Sequence, residues 1–297
     1  MKVWQDRKKT EFIDALCRLT PRRRFELLRL DNICREHDGT FSTAELEAGT
    51  VPDRSFRSFF MYYDGKTLVG ELFLFITADD NRETSGGEEK DDSEQGGLCA
   101  EITAIVDPYW RRKGIFKRML KAAKAELKKY RIKEYRFVAE PDCADTAEAA
   151  KHMRLKTIGS ELMMELKSET KENTDNKTKD GETEESRVNI NENADGNKGL
   201  TVSLELDDGT RIGSAFCYLM NEYAFIGRVE IAEESRNRGY GKRLMTAVID
   251  TVNRRMPEAA IRLQVFSDNI PAVGLYEKLG FITISRLDYL ALPENAK

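Results

Sequence analysis

Histidine is almost absent: only His37 and His152 occur in 297 residues. The five cysteines (Cys17, Cys34, Cys99, Cys143 and Cys217) are scattered, and no Cys-x-x-Cys pair occurs. A structural zinc centre needs closely spaced sulfur and nitrogen ligands, and a disulfide framework needs an even, dense set. Both are excluded as organising principles, so no metal is expected and the thiols read as reduced. No apolar run approaches the ~18 residues that span a bilayer. Met1-Lys2-Val3-Trp4-Gln5-Asp6 lacks the apolar core of a signal peptide. The net charge is only −4, which gives no global attraction to nucleic acid or anionic lipid. The expectation is a cytoplasmic protein with neither nucleic acid nor membrane as partner.

What is present fits two domains of ordinary size. Hydrophobic residues make up 40%, enough for real cores, while charged residues reach 34%. Much of that charge lies in two stretches. Residues 168–198 hold only Val188, Ile190 and Ala194 as apolar side chains, too few to offset the entropy of ordering. They read as a flexible polar linker. Residues 79–97 carry eight acidic against two basic side chains and read as an acidic loop between two strands.

Around these gaps the chain repeats itself. Phe59–Tyr63, Asp64-Gly65 and Leu68–Ile76 form one hairpin pattern; Thr201–Leu206, Asp208-Gly209 and Ile212–Leu219 form another. A third strand follows in each half, Cys99–Val106 and Tyr223–Ile231. Next come glycine-containing turns and amphipathic helices with apolar stripes at Ile115, Phe116, Met119, Leu120, Ala123 and Leu127, and at Leu244, Ala247, Val248 and Val252. Glu134–Ala139 and Ala260–Phe266 are a further pair of strands. The first half alone carries a helical pattern ahead of its strands, over roughly 8–36. The domains read as 1–166, a linker at 167–198, and 199–297, with the second domain's pocket walled partly by the first.

The turn Arg236-Asn237-Arg238-Gly239-Tyr240-Gly241 follows a strand and opens a helix. Backbone N–H groups gathered at a helix N-terminus cradle a pyrophosphate. The turn lacks the Gly-x-Gly-x-x-Gly order and placed acid of a dinucleotide site, and no Gly-Lys-Ser/Thr makes it a Walker loop. It resembles the acyl-CoA loop of the GNAT superfamily of N-acetyltransferases, Gln/Arg-x-x-Gly-x-Gly/Ala. Asn269-Ile270-Pro271-Ala272-Val273-Gly274-Leu275-Tyr276-Glu277-Lys278-Leu279-Gly280-Phe281 is similar to that superfamily's second motif. The resemblance covers 200–290 well. Over 55–140 it rests on topology and one degenerate loop.

The resemblance implies an α/β protein with mixed sheets of α+β type: two GNAT-like acyl-CoA N-acyltransferase domains in tandem. It implies acetyl-CoA as co-substrate and a primary amine as acceptor, joined by direct attack in a ternary complex. N–H groups of Arg238, Gly239, Tyr240 and Gly241 would hold the pyrophosphate; Arg236 and Lys242 would add charge, with Asn237 in the same turn. Val229–Ile231 would run beside the pantetheine, near Asn269. Tyr276 would protonate the leaving thiolate. Glu230 could act as base directly or through water; Glu222 and water alone are the other options.

In the first half, Arg111-Arg112-Lys113-Gly114-Ile115-Phe116 copies the turn 125 positions earlier, with Phe116 at the second small position. At that offset Lys151 falls where Tyr276 stands, so the first half lacks the acid and reads as degenerate. Its remaining cations leave CoA binding there open. A non-catalytic acetyl-CoA sensor is the alternative function, and a nucleotide phosphate-loop protein is a third. Charge mildly favours a cationic acceptor, either a small molecule such as a polyamine or aminoglycoside, or a peptide or protein amine. Oligomeric state is left open.

Overall fold

A computed structural model describes residues 10–41, 44–47, 51–78, 97–167, 186–192, 199–220 and 223–293. The chain runs through β1 (Glu11–Leu16), α1 (Pro21–Asp38), β2 (Phe59–Asp64), β3 (Thr67–Ala78), β4 (Leu98–Val106), α2 (Ile115–Lys129), β5 (Glu134–Ala139) and α3 (Ala144–His152). It continues through β6 (Lys156–Leu166), β7 (Ser186–Glu192), β8 (Gly199–Leu206), β9 (Arg211–Leu219) and β10 (Tyr223–Ile231). The last elements are α4 (Tyr240–Arg255), β11 (Ala260–Phe266), α5 (Ile270–Lys278) and β12 (Phe281–Ala291).

The hairpins form where Asp-Gly pairs were expected to turn the chain. Gly65 and Gly209 take left-handed φ values of 59° and 87°, which glycine adopts without steric cost. The Asp208 carboxylate accepts the Thr210 N–H at 2.8 Å and closes the second turn.

Two segments differ from the sequence reading. Glu11–Leu16 is a strand, not the start of a helix: it pairs with β2, and Phe12 stacks on its partner Tyr63 at 5.2 Å. Phe12 and Leu16 have helical spacing, but residues four apart also share one face of a strand, and the open edge of β2 takes the run. The helix begins only at Thr20, whose hydroxyl accepts the Arg23 N–H ahead of Pro21. Likewise Ser186–Glu192, inside the expected linker, is a strand paired with β8. Its side chains bury little, with Val188 40% exposed. Backbone pairing holds it, together with Arg243 of α4, which donates to the Ser186 carbonyl. Residues 168–185 and 193–198 of that linker, and 79–96 of the acidic loop, lie outside the described residues.

The chain divides into two compact units, Met1–Ile158 with Asp288–Lys297, and Gly159–Leu287. Both divisions fall inside strands, β6 and β12, rather than at the expected boundaries 166/167 and 198/199. The first unit orders its strands β1-β2-β3-β4-β5, closed by the end of β12 against β5. The second orders them β7-β8-β9-β10-β11, closed by β6 against β11. Each unit is therefore completed by a strand that follows the other half's last helix. Local sequence cannot specify this, because each closing strand meets an equivalent antiparallel edge in either unit.

The first unit has a core on each sheet face. Leu27, Leu30 and Cys34 of α1 cover one; Ile115, Met119, Ala123 and Leu127 of α2 cover the other. The second unit's core gathers on one face, under α4 and α5, around Leu244, Met245, Val248, Val252 and Tyr276. Its other face has no helical cover among the described residues of that unit.

One glycine in this core carries a stability prediction. A Cβ on Gly213 would lie 2.5 Å from Ile231 Cδ1 and 3.0 Å from the Glu230 carbonyl oxygen. Overpacking against backbone has little room to relax, so Gly213→Ala is expected to cost about 1–3 kcal/mol in chemical denaturation. An unchanged midpoint would show that β9 and β10 shift apart freely.

Candidate functional site

In the second unit the strand β10 leads through Ala232–Ser235 into the turn. Asn237 has φ 60° and Gly239 φ 83°, two left-handed residues that reverse the chain into α4. Gly239 is the N-cap and has no side chain to cap with, and Arg243 makes the first intrahelical bond, to the Gly239 carbonyl at 3.1 Å. The helix therefore presents its dipole and first-turn amides at the turn. Arg236, Asn237, Arg238 and Gly239 are exposed there, while the Tyr240 ring is buried in the core. Arg236 Nε donates to the Ile231 carbonyl at 3.1 Å, and among the described residues neither Arg236 nor Arg238 pairs with a carboxylate. Gly241 lies against α5: a Cβ there would sit 3.1 Å from Leu275 Cδ2.

The strands β10 and β11 separate beside this turn. They pair in parallel from Tyr223↔Ala260 to Ile226↔Leu263, and then β10 runs on to Ile231 and β11 to Phe266 without further pairing to each other. A bulge marks the parting point. Gly227 faces Phe216 and Glu230 faces Ser214, so Arg228 and Val229 together oppose Ala215. Arg228 adopts φ 52°, a strained value for a residue with a Cβ. Such bulges re-aim backbone groups and recur beside functional sites. Sequence reasoning missed Arg228; the available signal was Gly227 within a strand pattern.

The two predicted catalytic side chains lie on opposite faces of this split. Tyr276 of α5 belongs to the helix-covered core, 5% exposed, with its ring 6.0 Å from Phe281. Burial pushes its phenol above the usual tyrosine value, and its hydroxyl makes no hydrogen bond among the described residues. Glu230 is exposed on the helix-free face, across from Ser214. Its neighbours Val229 and Ile231 pack toward the α4 side. Asn269 caps α5, its side-chain oxygen accepting the Ala272 N–H at 3.3 Å. Glu222 lies outside the described residues.

A family model for the acetyltransferase (GNAT) family matches residues 160–281, the interval that contains the split, the turn and α5. This segment belongs to the GNAT family. Solved structures extend the fold to the whole chain. A GCN5-related N-acetyltransferase from Sphaerobacter thermophilus aligns over 95% of this chain and 95% of its own, with a TM-score of 0.65 at 11% identity. A tandem GNAT protein from the clavulanic acid biosynthesis pathway aligns over 94% and 97%, with a TM-score of 0.70 at 15% identity. No match emerged among curated protein sequences. The chain thus has a tandem GNAT fold, with two acyl-CoA N-acyltransferase-like units. Among the described residues no helix is long and apolar enough to cross a membrane, and no group of His, Cys, Asp and Glu could hold a metal ion.

The first GNAT-like unit repeats the turn's backbone but not its chemistry. Arg112 has φ 64° and the N-cap Gly114 φ 75°, matching Asn237 and Gly239. Its cations, however, are already engaged. Arg111 makes a bidentate pair with Asp38 at 2.6 and 2.7 Å and a third bond to Asp145 at 2.6 Å. Arg112 holds Glu148 at 2.5 Å and Asp145 at 3.1 Å, and Lys113 donates to the Tyr109 carbonyl. These arginines hold the Asp38 and Asp145 carboxyls below the usual range, against the desolvation that opposes it. Phe116 fills the second small position and packs 6.3 Å from Phe137. β4 also lacks the bulge, since its register with β3 is unbroken from Gly70↔Val106 to Ala78↔Leu98.

The helices after β5 and β11 correct one residue match. Their N-caps, Cys143 and Asn269, are 126 positions apart. At that spacing the left-handed residues that end them, Arg154 and Gly280, also coincide. Ala150, not Lys151, therefore stands where Tyr276 does. The first unit still has no acid at this place.

Proposed function

We propose that the second unit transfers an acetyl group from acetyl-CoA to a primary amine by direct attack in a ternary complex, and that the first unit holds no CoA. One observation carries the reading: among the described residues the second unit combines an uncapped turn whose arginines have no carboxylate partner with a bulge at the strand split, whereas the first unit has an uncapped turn and a strand split but paired arginines and no bulge. The amides of Arg238, Gly239, Tyr240 and Gly241 suit a pyrophosphate, with Arg236 and Lys242 adding charge. The freed backbone of Val229–Ile231 suits the pantetheine arm, and an N–H there can meet oxyanion charge. Asn269 fixes α5 alongside.

Acetyl-CoA would supply an activated acyl carbon and a thiolate leaving group. Glu230 takes the proton that the attacking amine must lose, directly or through water. Tyr276 delivers a proton to the departing sulfur from the opposite face. The family membership supports acyl transfer as the reaction class.

Calorimetry with acetyl-CoA tests the division between units. One site per chain is expected. Gly239→Val forces a β-branched residue into a left-handed position, a strain of about 1–3 kcal/mol, and places methyl groups in the cradle. It is expected to weaken binding at least ~10-fold, while Gly114→Val leaves the affinity unchanged. Two sites per chain would contradict the assignment. Tight binding with no thiol release across a broad amine panel would favour a sensor instead.

A further inference from the structure

We propose that the helix-free face beside the β10 bulge is the acceptor subsite, and that it selects a primary amine carried on an aromatic or other flat apolar ring. The proposal rests on the transfer reading and names its substrate class. Strand alternation puts Ser214, Phe216 and Tyr218 of β9 on one face with Phe225, Gly227 and Glu230 of β10, as Tyr218↔Phe225, Phe216↔Gly227 and Ser214↔Glu230. The Phe216 and Tyr218 rings meet edge to face, 4.3 Å between centroids. The Phe225 ring leans along its strand over Gly227, its Cε1 only 3.7 Å from where a Gly227 Cβ would stand.

All three rings are half-buried and Glu230 is exposed at the end of the row. Two other charged groups of this face are already engaged. Glu205 is held by Asn189, and Arg262 binds Glu165 and stacks on Tyr223. Glu230 has no cationic partner among the described residues. A carboxylate beside rings takes an ammonium at one end and an apolar ring at the other. Glu230 pairs with Ser214, two residues along β9 from Phe216, so their backbone positions are offset by about 7 Å along the strand. An offset of that order suits an amine joined to its ring by a short aliphatic chain.

The test compares 2-phenylethylamine and tryptamine with ethanolamine and spermidine, following thiol release from acetyl-CoA by the full chain. The ring-bearing amines are expected to have kcat/KM at least ~30-fold higher, the scale of one well-buried ring. Phe216→Leu and Phe225→Leu should cut that preference below ~5-fold by raising the amine KM, with acetyl-CoA affinity by calorimetry unchanged. Gly227→Val, which fills the space under Phe225, provides a second route to the same loss. Equal or better use of ethanolamine or spermidine would overturn the proposal and leave the transfer reading intact. So would an unchanged preference in the three variants. Absence of thiol release with every amine would take both down.

Discussion

Tyr276→Phe is expected to lower kcat by about 10²-fold or more, the usual contribution of a positioned general acid. Acetyl-CoA affinity should change less than ~2-fold, because the ring and its packing against Phe281 are kept. Stability should hold or rise slightly. The hydroxyl lost makes no hydrogen bond among the described residues, and a desolvated polar group without a partner contributes nothing favourable. Burial raises the phenol's pKa, so the group stays protonated through the neutral range. Its ionisation should reduce the rate only above about pH 10. A variant with full turnover would remove Tyr276 from the chemistry and make it a core aromatic.

The second large effect lies in the first unit. Glu71 sits in the middle of β3 between Met61 and Ile105, 2% exposed, with Oε1 lacking a hydrogen-bond partner among the described residues. Burial, reinforced by Asp31 and Glu45, pushes its carboxyl from 4.5 up to about 8. Asp31 is already committed, accepting from Arg35 at 3.0 Å and from the Ala44 N–H at 2.9 Å. At neutral pH the folded chain therefore binds a proton at Glu71 that the unfolded chain has released. Stability is full below the unfolded value and falls as pH rises toward 8; a shift of this size is worth about 3 kcal/mol by pH 7. Glu71→Gln removes the ionisation. It should melt close to wild type at pH 5 and be more stable by about 4–5 kcal/mol at pH 9. Parallel pH profiles for the two proteins would contradict a buried proton at this position.

The repeat was legible because each device is local. Asp64-Gly65 and Asp208-Gly209 mark their turns, and Gly114 and Gly239 mark the left-handed entry to their helices. Asn269 announces its helix with its own side chain. Strand β1 was not legible: Phe12 and Leu16 fit two periods, and the choice fell to an open edge of β2. Strand β7 was not legible either, since a polar segment acquires structure when a neighbour supplies hydrogen bonds to its backbone.

The site divides in the same way. From the sequence alone come the glycine turn, the tyrosine helix and the missing tyrosine in the first half, because these depend on residue type at short spacing. Tertiary structure decided which cradle keeps its charge. Arg111 and Arg112 look like an anion site in sequence, yet Asp38, Asp145 and Glu148 reach them from distant helices. It also decided the exchange of β6 and β12, the bulge at Arg228, and the meeting of three rings with Glu230 on one face. Each of these depends on the partner a strand or charge finds across the fold, which residue type at short spacing does not specify.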